Sequence, residues 1–187
     1  MSDLGKRSPS INYGRNSSTW IGPFFTGCTT LSRLKGTLAT AKAGNRTVLV
    51  AFHASWCSWC RRLEAVMARP AVKPILDRHF VIQWLTIQER GEKKALDTPG
   101  AAELYRQWTG GAKSGIPFYL VLDAKGQLRS SSIRALAPGA APANIGYPGS
   151  PEEIQAFIAL LKDGAPSLTT AELDTLAREL DAAKPKG

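Results

Sequence analysis

Cys57 and Cys60 are the residues of this chain whose type and spacing point most directly to chemistry. They follow an apolar, β-branched stretch at residues 48–52, which is typical of a buried strand. A helix that begins at the cysteines would place both thiols in its first turn, where unpaired N–H groups and partial positive charge favour a thiolate at Cys57. Cys60, three residues later, could close a disulfide with it. The spacing therefore predicts thiol–disulfide exchange.

The two thiols and a nearby carboxyl group can be given separate tasks. We expect Cys57 to be the nucleophile, because it is nearer the helix start and should be the more exposed thiol, and Cys60 to resolve the mixed disulfide. Glu64 lies four residues past Cys60 on the same helical face, where a carboxyl could accept the proton of Cys60. A surface Glu64 paired with Lys or Arg is the alternative interpretation.

Aromatic and imidazole side chains surround the two thiols in sequence. Trp56 and Trp59 flank Cys57 and could form a flat apolar platform for a substrate polypeptide, or could simply pack around the helix start. His53 could hydrogen-bond near the thiols or be satisfied within the strand.

Composition limits the class of protein. The 187 residues suffice for one domain with a real core, and 43% hydrophobic with 21% charged residues is ordinary for a soluble globular protein. The net charge of +9 fits a solvated basic surface or attraction to acidic partners. Because the Lys and Arg residues are scattered without a basic block or zinc-finger spacing, we expect no nucleic-acid partner. Three cysteines are too few for a disulfide framework, so Cys28 is expected to be a bystander.

Targeting signals are weak in this sequence. No apolar run approaches the ~20 residues that cross a membrane, so no membrane span is expected. The N-terminal residues lack the apolar core of a secretory signal. We expect a soluble monomer, extracytoplasmic (periplasmic) if a leader was removed and cytoplasmic if Met1 is the native start.

Apolar periodicity, caps and turn residues predict the elements that position these groups. The predicted elements are a helix at 30–43, a strand at 48–53, a helix at 57–68, a helical turn at 71–78, a strand at 80–87, a helix at 101–108, a strand at 116–122, a hairpin strand at 127–133, a loop at 135–150, a helix from 151, and a last helix at 169–183.

This order of elements predicts an α/β fold with a central mixed sheet flanked by helices and an extra C-terminal helix. The right-handed crossover rule makes the first two strands parallel, and the hairpin adds an antiparallel pair. We divide the chain into a flexible arm (1–18), one domain (19–166) and a C-terminal helical extension (167–187).

The motifs resemble those of the thioredoxin superfamily over about residues 30–163, in particular bacterial disulfide reductases or isomerases. The resemblance is carried by Trp-Cys-Ser-Trp-Cys at 56–60 and by Gly-Ile-Pro at 115–117. It implies a thioredoxin-like fold in which the Ile116–Pro117 bond is cis and faces the disulfide. The backbone of Ile116 would then be open to an extended substrate strand. Ala51 stands where thioredoxins carry a buried Asp, and Glu64 is expected to replace that Asp.

These features favour a thiol–disulfide oxidoreductase, a reductase or isomerase acting on protein disulfides together with a redox partner protein. Such chemistry needs no organic cofactor and no metal. Two alternatives stay open. One is a zinc or copper module built from the cysteine pair, His53 and either His79 or Cys28. The other is a non-catalytic thioredoxin-fold binding protein or chaperone.

Overall fold

The computed structural model describes residues 29–110 and 114–184. The predicted arm at 1–18 and Cys28 lie outside the described residues. The elements in chain order are α1 (Thr29–Ala43), β1 (Thr47–His53), α2 (Ser58–Met67), α3 (Lys73–His79), β2 (Phe80–Thr86), a 3₁₀ helix (Gly91–Leu96), α4 (Ala101–Trp108), β3 (Phe118–Leu122), β4 (Leu128–Ser131), β5 (Ile133–Arg134), β6 (Ala143–Asn144), α5 (Pro151–Gly164) and α6 (Thr170–Asp181).

The central sheet is mixed, as the order of elements predicts. Its strand order is β2-β1-β3-β4, with β1 parallel to β2 and antiparallel to β3, and β4 antiparallel to β3. Successive residues of β1 point to opposite faces of the sheet. Val50 and Phe52 join a core with α1 and α4, whereas Leu49 and Ala51 join a core with α2, α5 and α6. Helices therefore cover both faces, and the thioredoxin-like α/β fold is confirmed.

Capping residues define the starts of the last two helices. Ser150 and Glu153 form a reciprocal capping box at α5, and Thr169 and Glu172 form one at α6. The last helix is therefore confirmed, and its apolar face is buried in the core shared with α2 and α5. None of the helices among the described residues is long and apolar enough to cross a membrane.

The segment predicted as a loop at 135–150 contains a short strand, so that prediction is wrong in part. β6 pairs antiparallel with β5, and the N–H of Ile145 donates to the carbonyl of Ser132. The predicted strand at 127–133 is correspondingly split between β4 and β5. Two-residue strands are too short to show an alternating pattern, so only the tertiary pairing defines them.

Candidate redox site

Cys57 immediately precedes α2 and Cys60 lies in its first turn, and the two form a disulfide with a Cα–Cα distance of 5.3 Å. Cys57 is the N-cap of α2, and its sulfur accepts the backbone N–H of Cys60 at 3.1 Å. The cap therefore directs an otherwise unpaired helix N–H at the Cys57 sulfur, where it would stabilise negative charge. Sequence reasoning placed both cysteines in this position.

The two sulfurs differ in their access to solvent. Cys57 is 4% exposed and Cys60 is fully buried, so the predicted order of exposure is correct although Cys57 itself is largely covered. Cys57 packs in a small apolar cluster with Ala54 and Ile116. Ile116 therefore covers part of the Cys57 side chain.

The loop that faces the disulfide carries the proline identified from the sequence. The Ile116–Pro117 peptide bond is cis, as the resemblance implied, and the Cys57 sulfur lies 3.6 Å from the Ile116 carbonyl oxygen. Asn144 on β6 holds this loop, since its amide nitrogen donates to the carbonyls of Gly115 at 2.7 Å and Pro117 at 3.1 Å. Sequence reasoning missed Asn144 because it missed β6.

Glu64 pairs with a histidine rather than with the Lys or Arg considered from the sequence. The Nδ1 atom of His53 lies 2.5 Å from Oε1 of Glu64, and its Nε2 atom lies 3.1 Å from the Thr86 hydroxyl. The Glu64 side chain is about one-third exposed. Ala51, where thioredoxins carry Asp, is buried in the sheet. The carboxyl group of Glu64 is thus carried by α2, and His53 at the end of β1 orients it.

A second carboxylate supports the turn before Cys57, and sequence reasoning missed it. Glu89 is buried and accepts the Ser55 backbone N–H at 2.5 Å and the Ser55 hydroxyl at 2.8 Å. The donated N–H is the main reason why the pKa of Glu89 lies below its ordinary value, against the opposing effect of burial. The position of Glu89 could have indicated this contact. Ser55 follows β1 and Glu89 follows β2, and the carboxyl ends of parallel strands meet at one edge of the sheet.

The tryptophans on either side of Cys57 remain at the surface. Trp56 is 40% and Trp59 is 47% exposed. The indole N–H of Trp56 donates to the Gln88 carbonyl at 2.8 Å, and the Trp59 ring stacks on Tyr147. Both rings are therefore oriented by neighbours while one part of each stays accessible beside the disulfide.

Of the ligands considered for a metal site, the described His79 is not brought to the cysteine pair, and Cys28 lies outside the described residues. In the parallel register Thr47 pairs with Phe80, so His79 lies at the opposite end of the sheet from Cys57. Its ring is engaged with Ser167 and Glu172. Across residues 29–110 and 114–184, no three or more His, Cys, Asp or Glu side chains cluster as metal ligands would.

Comparison with known proteins gives one family match. Residues 29–124 match a family model described as thioredoxin-like, which spans about half of the chain and includes β1, α2, β2 and β3. Among curated proteins, none matches the sequence significantly.

Solved structures give more distant likenesses. A disulphide isomerase from Xylella fastidiosa Temecula1 is 23% identical, with a TM-score of 0.43, over 58% of this chain and 77% of that one. A DsbH oxidoreductase is 17% identical, with a TM-score of 0.44, over 71% and 81%. The C-terminal domain of Neisseria meningitidis DsbD in the oxidised form is 21% identical, with a TM-score of 0.39, over 56% and 82%.

Proposed function

We propose that this chain, which belongs to the thioredoxin-like family, is a thiol–disulfide oxidoreductase acting on the disulfides of other proteins. The placement of the cysteine pair supports this most strongly. Cys57 caps α2, its sulfur accepts a helix N–H, and it lies beside the cis peptide bond that precedes Pro117. Once the disulfide is reduced, this environment favours the thiolate of Cys57, which is the form that attacks a disulfide.

The proposed cycle moves two electrons from the Cys57–Cys60 dithiol to a substrate disulfide. The Cys57 thiolate attacks one substrate sulfur, forms a mixed disulfide and releases the other substrate sulfur as a thiolate. Cys60 then loses its proton and attacks the Cys57 sulfur, which closes the Cys57–Cys60 disulfide and releases the second substrate thiol. A redox partner protein must supply two electrons to restore the dithiol.

Other side chains of the site support these two steps. Glu64 is the proposed acceptor of the Cys60 proton, because it lies one helical turn beyond Cys60 and His53 holds its carboxylate. Trp56 and Trp59 would contact the substrate polypeptide, and the backbone at Ile116 and Pro117 would lie along it. These assignments need neither a metal nor an organic cofactor.

Trapping the mixed disulfide tests this function. In a Cys28→Ser background, which removes the third thiol, Cys60→Ser should accumulate a covalent adduct with a disulfide-bonded model protein such as insulin. Mass spectrometry should place the adduct on Cys57. Because the remaining serine cannot resolve the mixed disulfide, the adduct should persist until dithiothreitol is added.

Matched variants separate this function from its alternatives. The Cys28→Ser protein should reduce insulin with dithiothreitol as electron donor, and the same protein with Cys57→Ser should not. An adduct on Cys60 instead of Cys57, or insulin binding without any adduct, would contradict the proposal. The second outcome would favour a non-catalytic binding protein.

Measurement of the Cys57–Cys60 equilibrium potential against glutathione then distinguishes a reductase from an isomerase. A reductase requires the more negative potential, because its dithiol must give up electrons more readily.

A further inference from the structure

Three aromatic rings with arginines above them lie near the redox pair. We call Trp56, Arg90, Trp59, Tyr147 and Arg62 the aromatic–arginine rim. Trp56 and Trp59 are among the exposed large hydrophobic side chains of the described residues. Exposed indoles beside a reactive group are typical of binding surfaces, since each presents a broad apolar face that a partner can cover.

One side of the rim is built by the segment after β2. The guanidinium carbon of Arg90 lies 4.0 Å from the centroid of the Trp56 ring, within the range of a cation–π contact. The Trp56 indole N–H donates to the Gln88 carbonyl, which fixes the ring relative to the same segment. A positive charge is thereby held directly over the residue that precedes Cys57.

The other side of the rim is built by α2 and by Tyr147, which lies between β6 and α5. Trp59 stacks on Tyr147 with ring centroids 5.4 Å apart, and the guanidinium carbon of Arg62 lies 5.7 and 6.0 Å from the two centroids. Arg62 and the Tyr147 hydroxyl both donate to the Ala183 carbonyl. These contacts orient a second positive charge over the ring of Trp59, the residue that precedes Cys60.

The arginines around the cysteine pair lack acidic partners within the described part of the chain. No carboxylate there forms a salt bridge with Arg61, Arg62 or Arg90. The Arg61 guanidinium donates to the neutral Ser55 carbonyl instead. Its positive charge is therefore also not paired with a carboxylate.

Three acidic side chains near the cysteine pair are already engaged. Glu64 is bound to His53, Glu89 is buried against Ser55, and the third is Asp97, which pairs with Lys94. The accessible surface around Cys57 therefore combines apolar faces with three exposed arginines, whereas Glu89 is buried, and such a surface attracts negatively charged partners.

We propose that the aromatic–arginine rim selects acidic polypeptide segments, so that disulfides flanked by Asp or Glu react fastest. This inference rests on the proposed function and specifies its substrate class. Carboxylates on either side of a substrate cysteine would face Arg62 and Arg90, while the rest of the segment covers the indoles. A Lys-flanked cysteine would meet like charge at the same places.

Three disulfide-linked peptide dimers test this selectivity. They have one length and differ only in the residues beside the cysteine, which are Glu-Glu, Gln-Gln or Lys-Lys. Single-turnover rates with the reduced protein are divided by the rates with dithiothreitol, because neighbouring charge also alters the intrinsic reactivity of a disulfide. We expect the normalised Glu rate to exceed the Lys rate about tenfold at low salt, and the ratio to shrink as salt is added.

Variants locate the source of the selectivity. Arg62→Gln and Arg90→Gln should each lower the Glu-to-Lys ratio about threefold, and the double variant should bring it close to one. Arg129→Gln is the matched control, because Arg129 is exposed on β4 beside the end of β3 distant from Ile116. It should leave the ratio unchanged.

The possible outcomes test the selectivity and the proposed oxidoreductase activity separately. Equal normalised rates for the three peptides, or a ratio that the double variant leaves intact, would overturn the selectivity while leaving the oxidoreductase standing. Failure to reduce any of the peptides, in a preparation that dithiothreitol has fully reduced, would count against both.

Discussion

At Glu64 a single carboxylate combines a structural contact with a proposed chemical task. His53 holds it at 2.5 Å, and it lies one helical turn beyond Cys60. Glu64→Gln keeps an oxygen that can accept from His53 but removes the capacity to take a proton. We expect the resolving step to slow about tenfold, with attack by Cys57 little changed. Quenched-flow analysis should therefore show the mixed disulfide accumulating transiently.

Glu103→Gln is the matched control for this variant. The two glutamate side chains are equally exposed, at 37% and 38%, but Glu103 lies on α4 and pairs with Arg106. A resolving step that Glu64→Gln leaves at the wild-type rate would restrict Glu64 to a positioning role. Equal slowing by both variants would indicate a general effect of lost charge.

Single residues show both the reach and the limit of sequence reasoning about the site. The Cys57–Cys60 spacing and Pro117 could be identified because each belongs to a short, contiguous motif. The contacts of Glu89 and Asn144 join segments more than twenty residues apart, with Glu89 bound to Ser55 and Asn144 to the Gly115 carbonyl. Such pairings depend on which strand ends meet, and periodicity does not contain that information.

At the scale of elements, Gly164 sets how closely α5 approaches the sheet. A Cβ atom at this position would lie 2.8 Å from both Cγ atoms of Val121 on β3, and a β-branched side chain in a buried strand cannot turn away freely. Gly164→Ala should therefore lower the free energy of unfolding by about 1–3 kcal/mol, the usual cost of overpacking. Urea denaturation measures this change.

Gly36 provides the opposite case in another helix. A Cβ atom there would meet nothing within 4 Å, and the residue is exposed in the middle of α1. Gly36→Ala should raise the free energy of unfolding by about 0.5–1 kcal/mol, because alanine loses less backbone entropy. If Gly164→Ala raised the free energy of unfolding as Gly36→Ala is expected to do, close packing of α5 on β3 would not be what Gly164 provides.

Elements with strong local signals were those that could be predicted. α5 and α6 each combine a capping box with a repeating apolar face, and β1 has a continuous apolar run. β5 and β6 have two residues each, and pairing with one another defines them. The mixed sheet could be predicted from the order of the longer elements. The small sheet of β5 and β6, which holds the proline loop, could not be predicted in this way.

At the scale of the whole molecule, Glu172 ties the last helix to the sheet. Its carboxylate caps α6 by accepting from Thr169, and it also binds His79 at the end of α3. The guanidinium of Arg78 reaches the same carboxylate. One acidic group thus joins the C-terminal part of the chain to the helix that precedes β2.

This arrangement predicts how stability depends on acid. The donated Thr169 N–H is the largest cause that lowers the pKa of Glu172 from 4.5 to about 2. The folded state therefore favours the carboxylate, whose stabilisation is complete above pH 4.5 and is lost as the pH falls towards 2. Glu172→Gln should lower the free energy of unfolding by about 1 kcal/mol near neutral pH, the size of one helix cap.

The difference between wild type and Glu172→Gln should shrink steadily below pH 4.5 and nearly vanish at about pH 2. Urea titrations at a series of pH values measure this difference directly. Asp174→Asn, on the exposed face of the same helix, controls for the change in net charge. A difference that stayed constant across this range would mean that the ionised form of Glu172 contributes nothing that its protonated form does not.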